Sequence, residues 1–474
     1  MMNLAELLPV LAAQPILGEG AGEFASVSID TRTMEARALY VALRGPRFDG
    51  HDFAATARER GATALLVDHA VPVALPQLVV ADTRVALAQM AAHWRAQFRL
   101  PVIAVTGSNG KTTTTQMIAA ILARAYGAPA GLPAWFATRG NRNNDIGVPL
   151  MLLELRHHHR AAVLELGMNH PGEIAQLSGW VQPSVAVVTN AQREHQEFLD
   201  SPAATARENG AAIQALAADG TAVFAADEEC TPIWREFAGA RPVLDFSLDG
   251  PAAVRAELTL EAHSVGLKMR TPAGPIQTRI ALGGAHNGRN ALAATAACLG
   301  IGVPPAAIAA GLADFAPVSG RGVVRTLGAA TLIDDSYNAN PDSVRAAIDL
   351  LARQRGERVL VFGDMGEVGA RGPQFHREIG AYARACGIEQ LLAVGEQARA
   401  AVLAFGAGAQ HFASREELAA AAGALVHGAG ASPRGLTLLV KGSRFMGMEK
   451  VIAALVPEFA RPAATAQGAG REHA

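Results

Sequence analysis

The run Val102-Ile103-Ala104-Val105-Thr106-Gly107-Ser108-Asn109-Gly110-Lys111-Thr112-Thr113-Thr114 constrains the fold more than any other stretch of the chain. An apolar strand feeds a loop with two glycines, and a lysine and threonines then open a helix. The glycines allow the backbone to curl so that its N–H groups, with the helix N-terminus, surround phosphate oxygens. Lys111 offers a charge to the outer phosphates, and the Thr112 hydroxyl can bind a magnesium ion bridging them. Thr106, Gly107, Ser108, Asn109, Gly110, Lys111, Thr112 and Thr113 are therefore expected to grip a nucleoside triphosphate with magnesium. The strict pattern would also place glycine at Ala104, so the loop is a shortened variant.

Magnesium favours octahedral, oxygen-rich coordination with few direct protein ligands. Glu165 closes the apolar strand Ala161 to Leu166, where a carboxylate is costly unless it meets a cation or hydrogen bonds. His195 follows the next strand end, in Val187-Val188-Thr189-Asn190-Ala191-Gln192-Arg193-Glu194-His195. Both stand at carboxyl ends of strands, where ligands gather in open α/β sheets. Thr112, Glu165 and His195 are the expected metal ligands, and with Lys111 they form the expected catalytic set. His157-His158-His159 reads as a solvated turn instead.

The chain has 474 residues, beyond the size at which one hydrophobic core keeps growing, so two or three domains are expected. Short apolar runs at Ala64 to Asp68, Leu78 to Asp82, Val185 to Thr189, Thr331 to Asp334, Arg358 to Phe362, Gln390 to Val394 and Leu436 to Val440 alternate with alanine-rich helical stretches. The class is α/β: a small N-terminal α/β domain (1–98), a central phosphate-loop domain with a parallel sheet (99–318), a C-terminal Rossmann-like domain (319–458) and a disordered tail (459–474). Lys+Arg 41 against Asp+Glu 43 gives no basic excess to neutralise nucleic acid or anionic lipid. Cys230, Cys298 and Cys386 show no metal-ligand spacing, and no run approaches the length of a membrane span. A soluble cytoplasmic protein is expected.

The loop, Glu165 and His195 resemble the ATP-dependent Mur ligases, which build the peptide stem of the bacterial cell wall, together with folylpolyglutamate synthases. Further blocks narrow the likeness. Gly284-Ala285-His286-Asn287-Gly288-Arg289-Asn290 looks like the family's His-Asn-x-x-Asn helix near the adenine, and Gly320-Arg321 looks like its step into the C-terminal domain. Asp334-Asp335-Ser336-Tyr337-Asn338-Ala339-Asn340-Pro341-Asp342-Ser343 is similar to the branch that adds D-alanyl-D-alanine to UDP-N-acetylmuramoyl-tripeptide. Gly363-Asp364-Met365-Gly366-Glu367 and Lys441-Gly442-Ser443-Arg444 extend the match, and the Asp-Asn-Pro-Arg signature of the branch adding the third stem residue is absent.

The resemblance implies ATP and magnesium as cofactors, an acyl phosphate on the tripeptide carboxylate, and a part in peptidoglycan synthesis, cell shape and cell division. It implies His286, Asn287, Asn290, Arg321 and Asp335 around the nucleotide. Ser28, Asp30, Thr31, Arg32, Arg47, Asp49, Gly50 and His51 would hold the UDP-sugar, and Asn338, Lys441, Ser443 and Arg444 the dipeptide side. A monomer is expected. Taken alone, Asp30 with Arg32 could equally be a turn with a surface ion pair. One departure stands out: many members carry a lysine carbamate on the second magnesium, yet no lysine lies between Lys111 and Lys268. Matching on Gly210 puts Asn209 there, and Glu208 could supply the missing oxygen. A ligase with another amine or a folate substrate, and an ATP-binding switch, remain the alternatives.

Overall fold

The computed structural model describes residues 1–16, 23–194, 197–199, 201–431 and 434–456; the expected tail at 459–474 lies outside them, as does His195. Three domains of α/β class each carry a main sheet.

The middle sheet sets out the site. Its order is Thr221–Phe224, Val185–Val188, Val102–Thr106, Ala161–Glu165, Trp135–Ala137, and every pairing is parallel. A parallel sheet covered on both faces needs strands that are apolar throughout, and Val102–Thr106 and Ala161–Glu165 are buried along their whole length. The strand leading into the glycine loop is central, with Ala161–Glu165 on one side and Val185–Val188 on the other. At that reversal of strand order the loops diverge and leave a crevice at the carboxyl ends. The helix Lys111–Tyr126 runs back from the loop, burying Met117, Ile118, Ile121 and Leu122 against the helices Ala285–Gly300 and Pro305–Asp314.

A second central sheet, absent from the sequence reading, spans Phe246–Ser247, Val254–Leu260, Val265–Thr271 and Gly274–Ile280. Its signal was present in Val254-Arg255-Ala256-Glu257-Leu258-Thr259-Leu260, where apolar residues recur at period two and the charged ones face solvent. The inward face packs on the Ala285–Gly300 helix and holds that helix against the phosphate loop.

The N-terminal sheet is mixed, in the order Gln14–Ile16, Gln77–Val79, Ala64–Val67, Ala38–Val41, Ser26–Ser28, with only its first pairing antiparallel. In the C-terminal sheet Val323–Leu327 pairs antiparallel with Ala330–Asp335, and Leu436–Lys441, Glu357–Gly363, Gln390–Val394 and Ala409–Phe412 follow in parallel. The expected strands in this part fall within one residue of those observed. Among the described residues no helix is long and apolar enough to cross a membrane.

Candidate active site

The phosphate loop owes its shape to two glycines. Gly107 has φ +125, and a Cβ there would come 2.0 Å from Thr189 Oγ1; Gly110, with φ +82, faces Asn290 Oδ1 at 2.2 Å in the same way. Only a residue without a side chain takes both the left-handed backbone and the close approach. The loop is braced from behind. Gly107 N–H donates to Asn209 Oδ1 at 2.8 Å, and the Thr106 hydroxyl donates to the Asn209 carbonyl at 3.1 Å. From the neighbouring strand end, Asn190 receives the Asn109 N–H at 2.8 Å and returns a side-chain N–H to the Asn109 carbonyl at 2.9 Å.

Lys111 Nζ lies in the mouth of the loop, donating to the carbonyls of Gly107 at 2.5 Å and Ser108 at 3.1 Å, with Glu194 Oε1 at 3.2 Å. A phosphate entering the loop therefore meets a compact cation already poised there, with a nearby carboxylate as its competitor. Thr112 follows on the first turn of the helix and faces the same cleft.

Glu165 ends its strand 2 % exposed. Its Oε1 accepts from Asn143 Nδ2 at 2.7 Å, and its Oε2 is buried with no hydrogen-bond partner. An orphaned carboxylate oxygen beside a phosphate loop is what a divalent cation would satisfy, so the residues fit magnesium. His195, the third expected ligand, lies outside the described residues.

Glu208 departs from the expectation. Its two carboxylate oxygens accept the N–H groups of Gly172 at 2.8 Å and Ile174 at 2.9 Å, capping the helix Glu173–Val181, and it does not line the cleft. The positive end of a helix is a favourable place for a carboxylate, and adjacent residues on the Pro202–Gln214 helix point about 100° apart. The expected oxygen ligand is thus engaged elsewhere, and Asn209 is a brace.

The residues expected around the nucleotide lie together along one cleft. Asn287 donates to Gly283 O at 2.7 Å and receives Asn290 Nδ2 at 3.1 Å, with the exposed His286 beside it in the cleft. The Arg321 guanidinium stacks 4.1 Å from the Tyr337 ring centre. Lys441 Nζ donates to Asp335 Oδ2 at 2.6 Å and to the Asn338 carbonyl at 3.0 Å. All these groups share one cleft of about 1030 Å³ with the phosphate loop and Glu165. Ser443 does not line it, accepting Gly366 N–H at 2.7 Å and donating to Ala339 O at 2.9 Å; the Arg444 guanidinium, also outside the lining, lies 5.6 Å from the Tyr337 ring centre.

The N-terminal set forms a separate patch that does not line this cleft. Asp30 binds the exposed Arg32 guanidinium at 2.7 Å and its N–H at 2.9 Å, and Ser28 Oγ donates to the Asp30 carbonyl at 3.1 Å. Asp49 binds both the N–H and Nδ1 of His51, the latter at 2.5 Å, and Gly50 O accepts the Tyr40 hydroxyl at 2.9 Å. Thr31 is buried and Arg47 is exposed beside the exposed Phe48 ring. Sequence reasoning missed Asn143, Thr189, Asn190 and Glu194. Their only signal was position: Thr189, Asn190 and Glu194 follow the strand Val185–Val188 beside the phosphate-loop strand, and Asn143 follows the edge strand Trp135–Ala137.

A phosphate loop at the switch point of a parallel sheet, a buried unsatisfied carboxylate beside it and a third domain's strand ends across the cleft define a three-domain nucleotide-binding protein of α/β class. The models of the Mur ligase family, catalytic domain, of the Mur ligase middle domain and of the Mur ligase, glutamate ligase domain match residues 23–95, 105–298 and 321–444 in turn. The chain belongs to the Mur ligase family. It is 41 % identical over 436 residues to the UDP-N-acetylmuramoyl-tripeptide--D-alanyl-D-alanine ligase of Escherichia coli (strain K12), covering 91 % of this chain and 93 % of that protein. To the Haemophilus influenzae protein of the same name it is 34 % identical, with 96 % and 98 % covered. The crystal structure of MurF from Acinetobacter baumannii superposes with a TM-score of 0.88 at 36 % identity, covering 96 % of this chain and 98 % of that one.

Proposed function

We propose that this chain is an ATP-dependent ligase that joins D-alanyl-D-alanine to UDP-N-acetylmuramoyl-tripeptide, giving the pentapeptide precursor of peptidoglycan with ADP and phosphate as by-products. One observation carries the reading: a single cleft joins the phosphate loop and the orphaned Glu165 oxygen to Asp335 and Asn338 of the branch-specific block, with Lys441 bonded to both. The full-length likeness to relatives bearing that name supports it.

In this reading the tripeptide's terminal carboxylate attacks the γ-phosphorus of ATP and ADP leaves, forming an acyl phosphate. The dipeptide amine then attacks the acyl carbon, phosphate leaves and the nitrogen loses a proton. Lys111 and the loop N–H groups hold the triphosphate in line and offset charge on the transferring group. Magnesium, held by Thr112, Glu165 and His195, would supply further charge neutralisation at the phosphates. His286, Asn287, Asn290, Arg321 and Asp335 frame the nucleotide, and Asn338, Lys441, Ser443 and Arg444 form the dipeptide side. The N-terminal domain, residues 1–98, would hold the uridine nucleotide at the Ser28 to Arg32 and Arg47 to His51 patch, from which the bound peptide reaches the cleft; the central domain spans 99–318 and the C-terminal domain 319–458. A monomer working in the cytoplasm, where both nucleotides are made, completes the proposal.

Phosphate release by the purified protein, measured with different carboxylate and amine pairs, tests it. Release that needs both UDP-N-acetylmuramoyl-tripeptide and D-alanyl-D-alanine is expected. A stronger response to another amine or to a folate substrate would assign a different ligase, and ATP cleavage indifferent to both would assign a switch.

A further inference from the structure

Arg193 stands on the loop between the strand Val185–Val188 and the helix Pro202–Gln214, one strand away from the phosphate loop. Its side chain leaves the central domain. Nε and Nη2 reach Asp342 Oδ1 at 3.1 and 2.6 Å, and the backbone N–H of Arg193 donates to Asp342 Oδ2 at 2.9 Å. Nη1 donates to both oxygens of Glu378, at 3.1 and 2.9 Å, and the guanidinium lies 5.4 Å from the Phe375 ring centre. All of these partners belong to the C-terminal domain. Asp342 sits in the first turn of the helix Pro341–Ala352 and Glu378 on the helix Gly372–Ala385.

The same helix start touches the phosphate loop itself. Asn340, its N-cap, donates to Asn109 Oδ1 at 2.8 Å and receives Asn109 Nδ2 at 3.2 Å. An exposed single ion pair would carry little energy, but a guanidinium forked between two carboxylates, only 21 % exposed and beside a reciprocal amide pair, is geometrically specific.

We propose that Arg193 is a positioning residue that, through Asp342 and Glu378, locks the C-terminal domain over the phosphate loop in the arrangement that ligates. Its catalytic consequence rests on the ligase reading. With the lock broken, water reaches the acyl phosphate and returns it to carboxylate and phosphate, so more phosphate is released than amide formed.

The full-length protein with Arg193→Ala, Arg193→Lys and the double change Asp342→Asn with Glu378→Gln tests this by two measurements. The first is domain separation by small-angle scattering with a non-hydrolysable ATP analogue, which needs no turnover. The second is the ratio of phosphate to amide. Arg193→Ala is expected to widen the separation, raise the ratio above unity and lower kcat by about tenfold, with a much smaller change in KM for ATP. Lysine cannot fork between two carboxylates and should recover only part of the loss. The double carboxylate change should reproduce Arg193→Ala, and combining all three should add little. Arg193→Ala with wild-type separation and a ratio of one overturns the lock, even at a lowered rate. If wild type fails to ligate the named pair, the ligase reading falls, and the scattering result alone then decides the lock.

Discussion

Asn209 holds the N–H of Gly107 at 2.8 Å from its side-chain oxygen, with its own Nδ2 tied to the Thr205 carbonyl at 3.1 Å. The residue matched to the family's lysine is thus 1 % exposed and a strut under the phosphate loop. Asn209→Ala would leave a buried N–H without its acceptor, at a cost of about 1–3 kcal/mol. If the loop yields, that cost appears as weaker nucleotide binding, on the order of 5- to 150-fold. Calorimetric titration with an ATP analogue measures it, and wild-type affinity in the variant would remove the strut's role.

Glu165 gives a prediction in which stability and activity move apart. Glu165→Gln keeps the volume and the Asn143 contact but removes a charge whose second oxygen is buried and unpaired. Without metal the variant should melt no lower than wild type, because an unpaired buried charge is itself destabilising. With MgATP, the upward shift in melting should shrink, and turnover should fall by about 100-fold. Differential scanning calorimetry with and without MgATP separates the two effects; a loss of melting temperature in both conditions would mean that Glu165 serves the fold rather than the cation.

The fold was largely legible because buried parallel strands leave short apolar runs, and Val102 to Thr106 with its glycine loop fixes the strand that the others flank. The Phe246–Ile280 sheet escaped because its strands alternate, with Arg255, Glu257 and Thr259 between the apolar residues, and so leave no continuous apolar run of the kind that marks the buried parallel strands. In the site, Lys111, Thr112 and Glu165 stood out because a charge or hydroxyl at a strand end or loop is conspicuous against its neighbours. Asn143, Asn190 and Glu194 did not, since their roles depend on which strands become neighbours. Glu208 misled for a related reason: proximity in sequence to the expected ligand says nothing about the Gly172 and Ile174 N–H groups that reach it across the fold.

Lys111 should tolerate no replacement. Its ammonium fits between the Gly107 and Ser108 carbonyls, where a planar guanidinium is too large. Lys111→Ala and Lys111→Arg are both expected to lower kcat by about 100- to 1,000-fold, with product formation measured at saturating ATP so that weakened binding does not mask the chemical step. An arginine variant with near wild-type kcat would show that charge alone suffices.

Glu228 lines the same cleft and accepts the Ala191 N–H at 3.1 Å. Burial outweighs that hydrogen bond and the attraction of Arg289, and with the repulsion of Asp227 and Asp342 pushes its carboxyl from the ordinary 4.5 up to about 7. Between those two values the folded protein keeps a proton that the unfolded chain has released. Raising the pH through this window therefore favours unfolding; the penalty is absent below 4.5 and complete above 7. Glu228→Gln stays neutral throughout and should be more stable than wild type at alkaline pH by on the order of 1–3 kcal/mol, with no gain in acid. Thermal melting of both proteins on either side of the window measures the difference. An equal shift at both pH values would trace the effect to packing, and no shift at alkaline pH would mean that Glu228 ionises as freely in the cleft as it does in water.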